Sequence, residues 1–415
     1  MKYTITKCIQ MRIILFFLFS VISIYGFCQP GPSHKNINEI SDNGHIFADI
    51  IVIDSTSDLT KVSKLKNLEV LHLKIHNLDS IPKEFKNFIN TKSLSIGFYK
   101  VKSSDLSFLN EFPNLKYLSF VGYDGENLSN KDLKLDSLSI LRIGYCPNLS
   151  SINTIKNLNS LQELSIENVA NLKEFPKFRK QNLIKKLKID HMSNGRVYNE
   201  ENPKNYKTDI RNIQYLSNLE ELTLGSLTYM NDIPDFFPRG IKKLEICAWA
   251  LHHWKGEKVE IKNIDNLKLY SNLKELKFYN IYLKNLNGNF ENISLDYLLL
   301  WYIPNLTDIS GVFSFKSIKD LEIKDCQDLK SISGKTCISK IGKIEIEDCP
   351  NIKDVDFLFT CQNLNAIEIY SKSNSLEISK ITNMSKIPNI SIFNSNDKIK
   401  LYKKEHIWEI QSIKK

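Results

Sequence analysis

Three stretches of this chain put residues capable of chemistry at a fixed spacing. "LRIGYCPNLSSI" (Leu141 to Ile152) returns as "IEIEDCPNIKDV" (Ile344 to Val355) and, more loosely, as "LEIKDCQDLKSI" (Leu321 to Ile332). Cys146, Cys349 and Cys326 are therefore equivalent, and each is open to three readings: half of a disulfide, a metal ligand or a nucleophile. A second set is acidic: Glu322, Glu345 and Glu368 recur 23 residues apart, and stacked carboxylates favour a cation or a basic partner. The third is aromatic: Tyr297, Trp301 and Tyr302, with Leu299 between them and Tyr279 upstream.

The elements that carry these residues follow from one period. The pattern L-x-x-L-x-[LIF] has its fourth position at Leu71, Leu94, Leu118, Leu141, Leu164, Leu187, Leu222, Leu244, Leu276, Leu298, Leu321, Ile344, Ile367 and Ile390, mostly 22 to 24 residues apart. Alternation in segments such as "LSI" predicts short strands with one buried face. Between strands, apolar residues recur every third position (Leu149, Ile152, Ile155, Leu158, Leu161). That spacing suits 3₁₀ turns or extended segments better than α-helices. One such unit cannot bury its own apolar side, so units must stack.

Units such as "LQELSIENVANLKEFPKF" resemble those of leucine-rich-repeat proteins, with short repeats of about 23 residues like those of bacterial internalins. The resemblance covers roughly residues 51 to 393. It implies an α/β-type solenoid, mostly β: a horseshoe or arc with a parallel sheet on the concave side and short 3₁₀ or extended convex segments. The expected organisation is a signal peptide (1–28), an N-terminal linker and capping strand (29–63), about 14 repeats (64–396) and a C-terminal cap (397–415). "IIVID" (Ile50 to Asp54) reads as the first capping strand and "IKLYKKEHIWEI" as the closing segment.

The repeat answers the cysteine question. Cys146, Cys326 and Cys349 fall where the family often has an inward asparagine, and other units place His76, Tyr99, Tyr123, Val169, Met192, Leu227, Trp249, Ile281 and Ile303 there. A position that accepts Val, Ile and Leu is a core position, so these thiols read as small buried hydrophobes. The missing asparagines leave the loop hydrogen bonds without an obvious source. Cys326 and Cys349 on adjacent parallel strands lie about 4.8 Å apart, wider than a disulfide's Cβ separation, and a reduced pair is expected. Cys361 falls at a buried convex position and Cys337 flanks the matching one in the previous repeat, where a bridge is allowed and nothing in the sequence demands it.

Composition narrows the function. Hydrophobic residues make up 42% and charged residues 25% of the 415, enough for a continuous core. Lys2, Lys7 and Arg12 precede the apolar run "IILFFLFSVISI" (Ile13 to Ile24), which reads as a signal peptide cleaved near Cys28 and Gln29. Lipid attachment at Cys28 is the alternative, with the bulky Phe27 before it against that reading. Met11 is a second candidate start. The net charge of +9 falls to +6 once the leader is removed, and the lysines are scattered, so no nucleic-acid footprint is expected. No later segment is long and apolar enough to span a bilayer.

Partner contacts are expected between the inward leucines, on the concave strands. The aromatic set Tyr279, Tyr297, Leu299, Trp301 and Tyr302 is the leading binding candidate, with cover by the inserted segment Ala250 to Glu260 as the competing explanation. The acidic column Glu322, Glu345 and Glu368 is the weaker one, because Lys324 and Lys343 are interleaved. A second insertion spans Ser193 to Lys207, and His252 and His253 read as solvent-exposed rather than metal-binding. No catalytic signature, metal site or cofactor is expected. The expected role is an exported, non-catalytic module that binds a protein, with polysaccharide or envelope glycan as the alternative. Oligomeric state is not legible.

Overall fold

The computed structural model describes residues 34–39, 50–101, 105–128, 134–169, 171–190, 207–227, 229–248, 259–332, 337, 339–352, 355–361, 363–371, 387, 389–394, 399–404 and 407–412. The leader and Cys28, Met192 and Trp249, and most of both insertions, with His252 and His253, lie outside these residues. Two compact units are formed, Met1–Asp124 with Asp132–Ser137 and Gly125–Lys131 with Leu138–Lys415.

In the first unit β1 (His34–Asn36), β2 (Ile50–Ile53), β3 (Val70–His76), β4 (Ser93–Tyr99) and β5 (Tyr117–Val121) pair parallel in chain order. The capping strand expected at Ile50 is β2, with β1 paired beside it. In the second unit β6 (Ile140–Gly144), β7 (Glu163–Glu167), β8 (Lys186–Asp190), β9 (Glu221–Gly225), β10 (Lys243–Cys247), β11 (Glu275–Tyr279), β12 (Ser294–Trp301), β13 (Ser317–Lys324), β14 (Lys340–Glu347), β15 (Ala366–Ser371) and β16 (Asn389–Asn394) do the same. β17 (Ile399–Lys404) and β18 (Ile407–Ser412) form an antiparallel pair. Each unit is a mostly β solenoid of parallel strands. Every helix among the described residues is 3₁₀, as the three-residue apolar spacing predicts; Asn153–Asn157 and Asp265–Leu269 are examples.

Register is set by the apolar pattern. Leu141 pairs with Leu164 and Leu164 with Leu187, and Leu276, Leu298, Leu321, Ile344 and Ile367 continue the alignment. A one-residue slip would turn this whole column outward. After most strands one residue takes a left-handed conformation, as at Tyr145, Asn168, Ser226, Asn280, Tyr302, Asp325 and Asp348, with φ between 51° and 55°. Its N–H donates to the strand-end carbonyl of the next repeat, for example Asn168 to Asp190 at 2.7 Å and Tyr302 to Lys324 at 2.8 Å. The following side chain then turns into the core: Cys146, Val169, Leu227, Ile281, Ile303, Cys326 and Cys349 are all buried.

His76 and Tyr99 depart from that expectation. β3 and β4 run on, and their left-handed residues are Asn77 and Lys100, two positions later in the repeat. Strand alternation therefore persists past Ile75 and Phe98, and His76 and Tyr99 face outward, stacked with ring centroids 4.6 Å apart.

The loop hydrogen bonds come from asparagines elsewhere in the repeat. Asn114, Asn218 and Asn272, each just before an L-x-x-L segment, donate to the carbonyls of Ile89, Asn182 and Arg239 one repeat back. Asn212 and Asn266, within 3₁₀ turns, reach Phe175 and Ile233. These bonds tie each connecting segment to the one before it and pair carbonyls that the parallel ladder does not reach. Cys337 and Cys361 are joined as a disulfide across adjacent repeats, with Cα atoms 5.1 Å apart. Cys146, Cys247, Cys326 and Cys349 are buried and form no disulfide among the described residues.

Among the described glycines the tightest approach is at Gly311, where an added Cβ would sit 1.6 Å from the Leu286 carbonyl oxygen of the preceding repeat. At Gly240 the same atom would make ordinary contacts at 3.6 Å. Gly311→Ala should lower stability by about 2 to 3 kcal/mol, and Gly240→Ala should leave it nearly unchanged. Urea midpoints followed by circular dichroism compare the two; equal midpoints would show that the repeats separate freely at Gly311.

Candidate functional site

On the outer face of the second unit, three columns of side chains cross the strands. The first precedes the inward leucines and reads Glu163, Lys186, Glu221, Lys243, Glu275 in register. Lys186 lies 3.3 Å from Glu163 and 3.9 Å from Glu221, and Lys243 lies 3.1 Å from Glu275. Sign alternation nearly balances this seam, with three glutamates to two lysines. Each exposed pair contributes little to stability, and together they leave little charge excess for a partner to read. The sequence pattern holds this seam in plain view, one residue before each inward leucine.

At β12 the first column changes character, because Tyr297 follows Glu275 in register. The Lys277 ammonium lies 5.5 Å from the Tyr297 ring centroid. Partial burial and then a hydrogen bond to Glu322 hold the Tyr297 hydroxyl well above the usual tyrosine range. Leu299, beside it in the central column, is half-buried. These two side chains therefore belong to the floor of the face.

The acidic column is bridged by lysine. Lys324 contacts Glu322 at 3.0 Å, Glu345 at 2.8 Å and Glu347 at 3.4 Å, and Lys343 contacts Glu345 at 3.2 Å and Glu368 at 2.8 Å. Partial burial pushes the Glu345 carboxyl up, but hydrogen bonds from Lys324 and Lys343 prevail and hold it below the usual range. The ammonium groups occupy the space a metal ion would need. Among the described residues, no group of three His, Cys, Asp or Glu side chains could hold a metal.

The third column reads Tyr279, Trp301, Lys324, Glu347, Tyr370. Tyr279 and Trp301 meet with ring centroids 4.7 Å apart and planes inclined at 53°. The indole Nε1–H donates to Asp325 Oδ2 at 3.0 Å. Trp301 remains 40% exposed and Tyr370 37%, the large apolar exceptions on this face. Tyr302 stands at the left-handed corner with φ 52° rather than on the strand, near enough to Tyr279 to help raise the Tyr279 pKa after burial has done so. Trp301 thus touches both Tyr279 and Asp325, while Tyr297 and Leu299 stand in the first and central columns of the same face. Tyr370 escaped the sequence reading although it sits three residues after Ile367, as Trp301 does after Leu298. Most of the insertion expected to cover the patch lies outside the described residues.

The first unit carries a smaller polar cluster. Tyr99 folds back over Gly97, where a Cβ would come within 2.7 Å of its ring, and stacks on His76. Lys74 lies 3.0 Å from His34 Nε2 and 5.9 Å from the Tyr99 centroid. Burial and the Lys74 charge lower the His76 pKa against the opposing pull of Asp54.

Removing the Lys324 bridge should expose the mutual repulsion of its carboxylates. In the native chain the lowered Glu345 pKa stabilises the fold above the ordinary glutamate range near 4.5, and that contribution fades as pH falls through it. Lys324→Met should therefore cost about 1 kcal/mol near neutral pH and progressively less on acidification. Urea midpoints near pH 7 and below the glutamate range read the difference; a deficit that is constant with pH would assign Lys324 a packing role instead.

No protein-family model matches the sequence, and no curated protein matches it. Solved structures similar to it include an internalin from Listeria monocytogenes, at 16% identity over 80% of this chain and 77% of that one, with a TM-score of 0.36. A leucine-rich-repeat protein of Leptospira interrogans shows 18% identity over 80% of this chain and 86% of that one, with a TM-score of 0.42. A plant peptide hormone receptor, solved with its peptide, shows 13% identity over 83% and 65%, with a TM-score of 0.35. The in-register L-x-x-L-x-[LIF] strands, the corners that follow them and the short 3₁₀ returns give this chain a leucine-rich-repeat fold.

Proposed function

We propose that the chain is an exported, non-catalytic binding module that docks a protein on the outer, concave-side face of its sheet. One observation carries the reading: Trp301 and Tyr370 stand exposed on strands whose neighbouring charges are already paired with one another. Leaving such rings in water forgoes their burial, and Trp and Tyr dominate the energetics of protein interfaces. The acidic column sets orientation rather than affinity, because its lysines neutralise much of it. A glycan is the second reading, favoured by the same exposed rings on a shallow surface.

A displayed library of random linear peptides, selected on the immobilised full chain, separates the two. Selected peptides should lose at least about tenfold in affinity on Trp301→Ala, with the folded spectrum retained. Glycan-array binding that depends on Trp301, with no Trp301-dependent peptide, would transfer the site to sugars.

A further inference from the structure

We infer that the Tyr279, Trp301, Tyr302 and Asp325 cluster is a receptor for a single cationic side chain, an arginine presented by the docked protein. The inference rests on the protein-binding reading and names the chemical group that the site takes.

Aromatic faces carry negative quadrupole charge and attract a guanidinium or ammonium laid over them. Here Tyr279 packs against Trp301, inclined at 53° with centroids 4.7 Å apart, which props the indole in place while it stays 40% exposed. Asp325 adds a formal negative charge at the edge of the indole, fixed by the Nε1–H at 3.0 Å. Donation to a carboxylate also pushes electron density into the indole, which strengthens its attraction for a cation. Asp325 pairs with no cation among the described residues, whereas the neighbouring Lys324 is held by Glu322, Glu345 and Glu347. Tyr279 feels the Asp325 charge in the pKa of its hydroxyl, which burial and then nearby groups raise.

The same face already contains a smaller version of this contact, since Lys277 lies over Tyr297 one column away. Beyond the cluster, β13 to β15 carry Asp320, Glu322, Glu345, Glu347 and Glu368 against Lys319, Lys324, Lys340 and Lys343, and with Asp325 at the corner the surroundings lean towards a basic partner. Arginine fits better than lysine. Its planar, weakly hydrated guanidinium can stack on one ring while its N–H fork reaches a carboxylate oxygen.

The test uses the full chain with its four tryptophans labelled at the indole nitrogen, the Trp301 resonance being assigned by its loss in Trp301→Phe. N-acetyl-arginine N-methylamide is titrated against its neutral isostere, N-acetyl-citrulline N-methylamide. The Trp301 signal should move saturably with the arginine compound, in the millimolar range, and about tenfold more weakly with citrulline. Asp325→Asn should weaken arginine binding about tenfold while the other indole signals stay in place. An unmoved Trp301 resonance, or equal response to citrulline, overturns the inference.

The peptides selected above separate this inference from the reading beneath it. Peptides that need Trp301 but tolerate replacement of every arginine by citrulline overturn the arginine anchor and leave protein docking intact. A saturable arginine shift with no Trp301-dependent peptide supports the cation site and overturns protein docking.

Discussion

The bond from each left-handed corner N–H to the strand-end carbonyl of the next repeat is the constraint from which the outer face follows. It extends the parallel ladder by one link while reversing the direction of the chain, so the residue before the corner faces out and the residue after it faces in. Trp301 before Tyr302 and Ile303 after it show the switch within three residues: exposed, corner, buried. Since a single repeat buries nothing alone, this bond and the leucine register must agree in every repeat. Side chains 22 to 24 residues apart are then held in fixed columns, and binding surfaces can be composed one residue per repeat.

Those columns explain why charge alone does not mark the site. A glutamate on one strand and a lysine on the next, as at Glu163 and Lys186, cancel locally and are exposed enough that their attraction is screened. The column of Glu322, Glu345 and Glu368 would repel itself, and the two lysines threaded between its members remove that repulsion at the expense of its usefulness as a cation site. Asp325 differs from these in standing at a corner rather than in a column, held by the Trp301 indole.

How much of this could be read from sequence depended on whether the feature is periodic. The fourteen inward positions, the 3₁₀ character of the returns and the buried cysteines followed from spacing alone. His76 and Tyr99 did not, because the counting assumed one corner position for every repeat, and Asn77 and Lys100 place it two residues later. Tyr370 is in register with Trp301, and only attention to the aromatic-rich repeat at Leu298 passed over it. The source of the loop hydrogen bonds was missed for a different reason: asparagine was sought at the position occupied by Cys146, whereas Asn114, Asn218 and Asn272 do the work just before the strands. The Cys337–Cys361 bridge joins two residues that are offset within their repeats, so the ladder's register says nothing about it.

Corner conformation raises the question of whether strain itself marks function. A left-handed backbone costs a bulky side chain about 1 to 2 kcal/mol and costs asparagine less, and asparagine fills the corners at Asn77, Asn168 and Asn280. Tyr302 is bulky and adjoins the candidate site, which taken alone would suggest selection for that position. Tyr145 occupies the same corner with φ 51° and has no such cluster beside it in register, its strand-end neighbours being Gly144 and Glu167. Bulky corners are therefore tolerated by the fold wherever the N–H bond to the next repeat is kept. The case for the site rests instead on what is peculiar to β11 to β13: two inclined rings, and a carboxylate that is held by an indole and by no cation among the described residues.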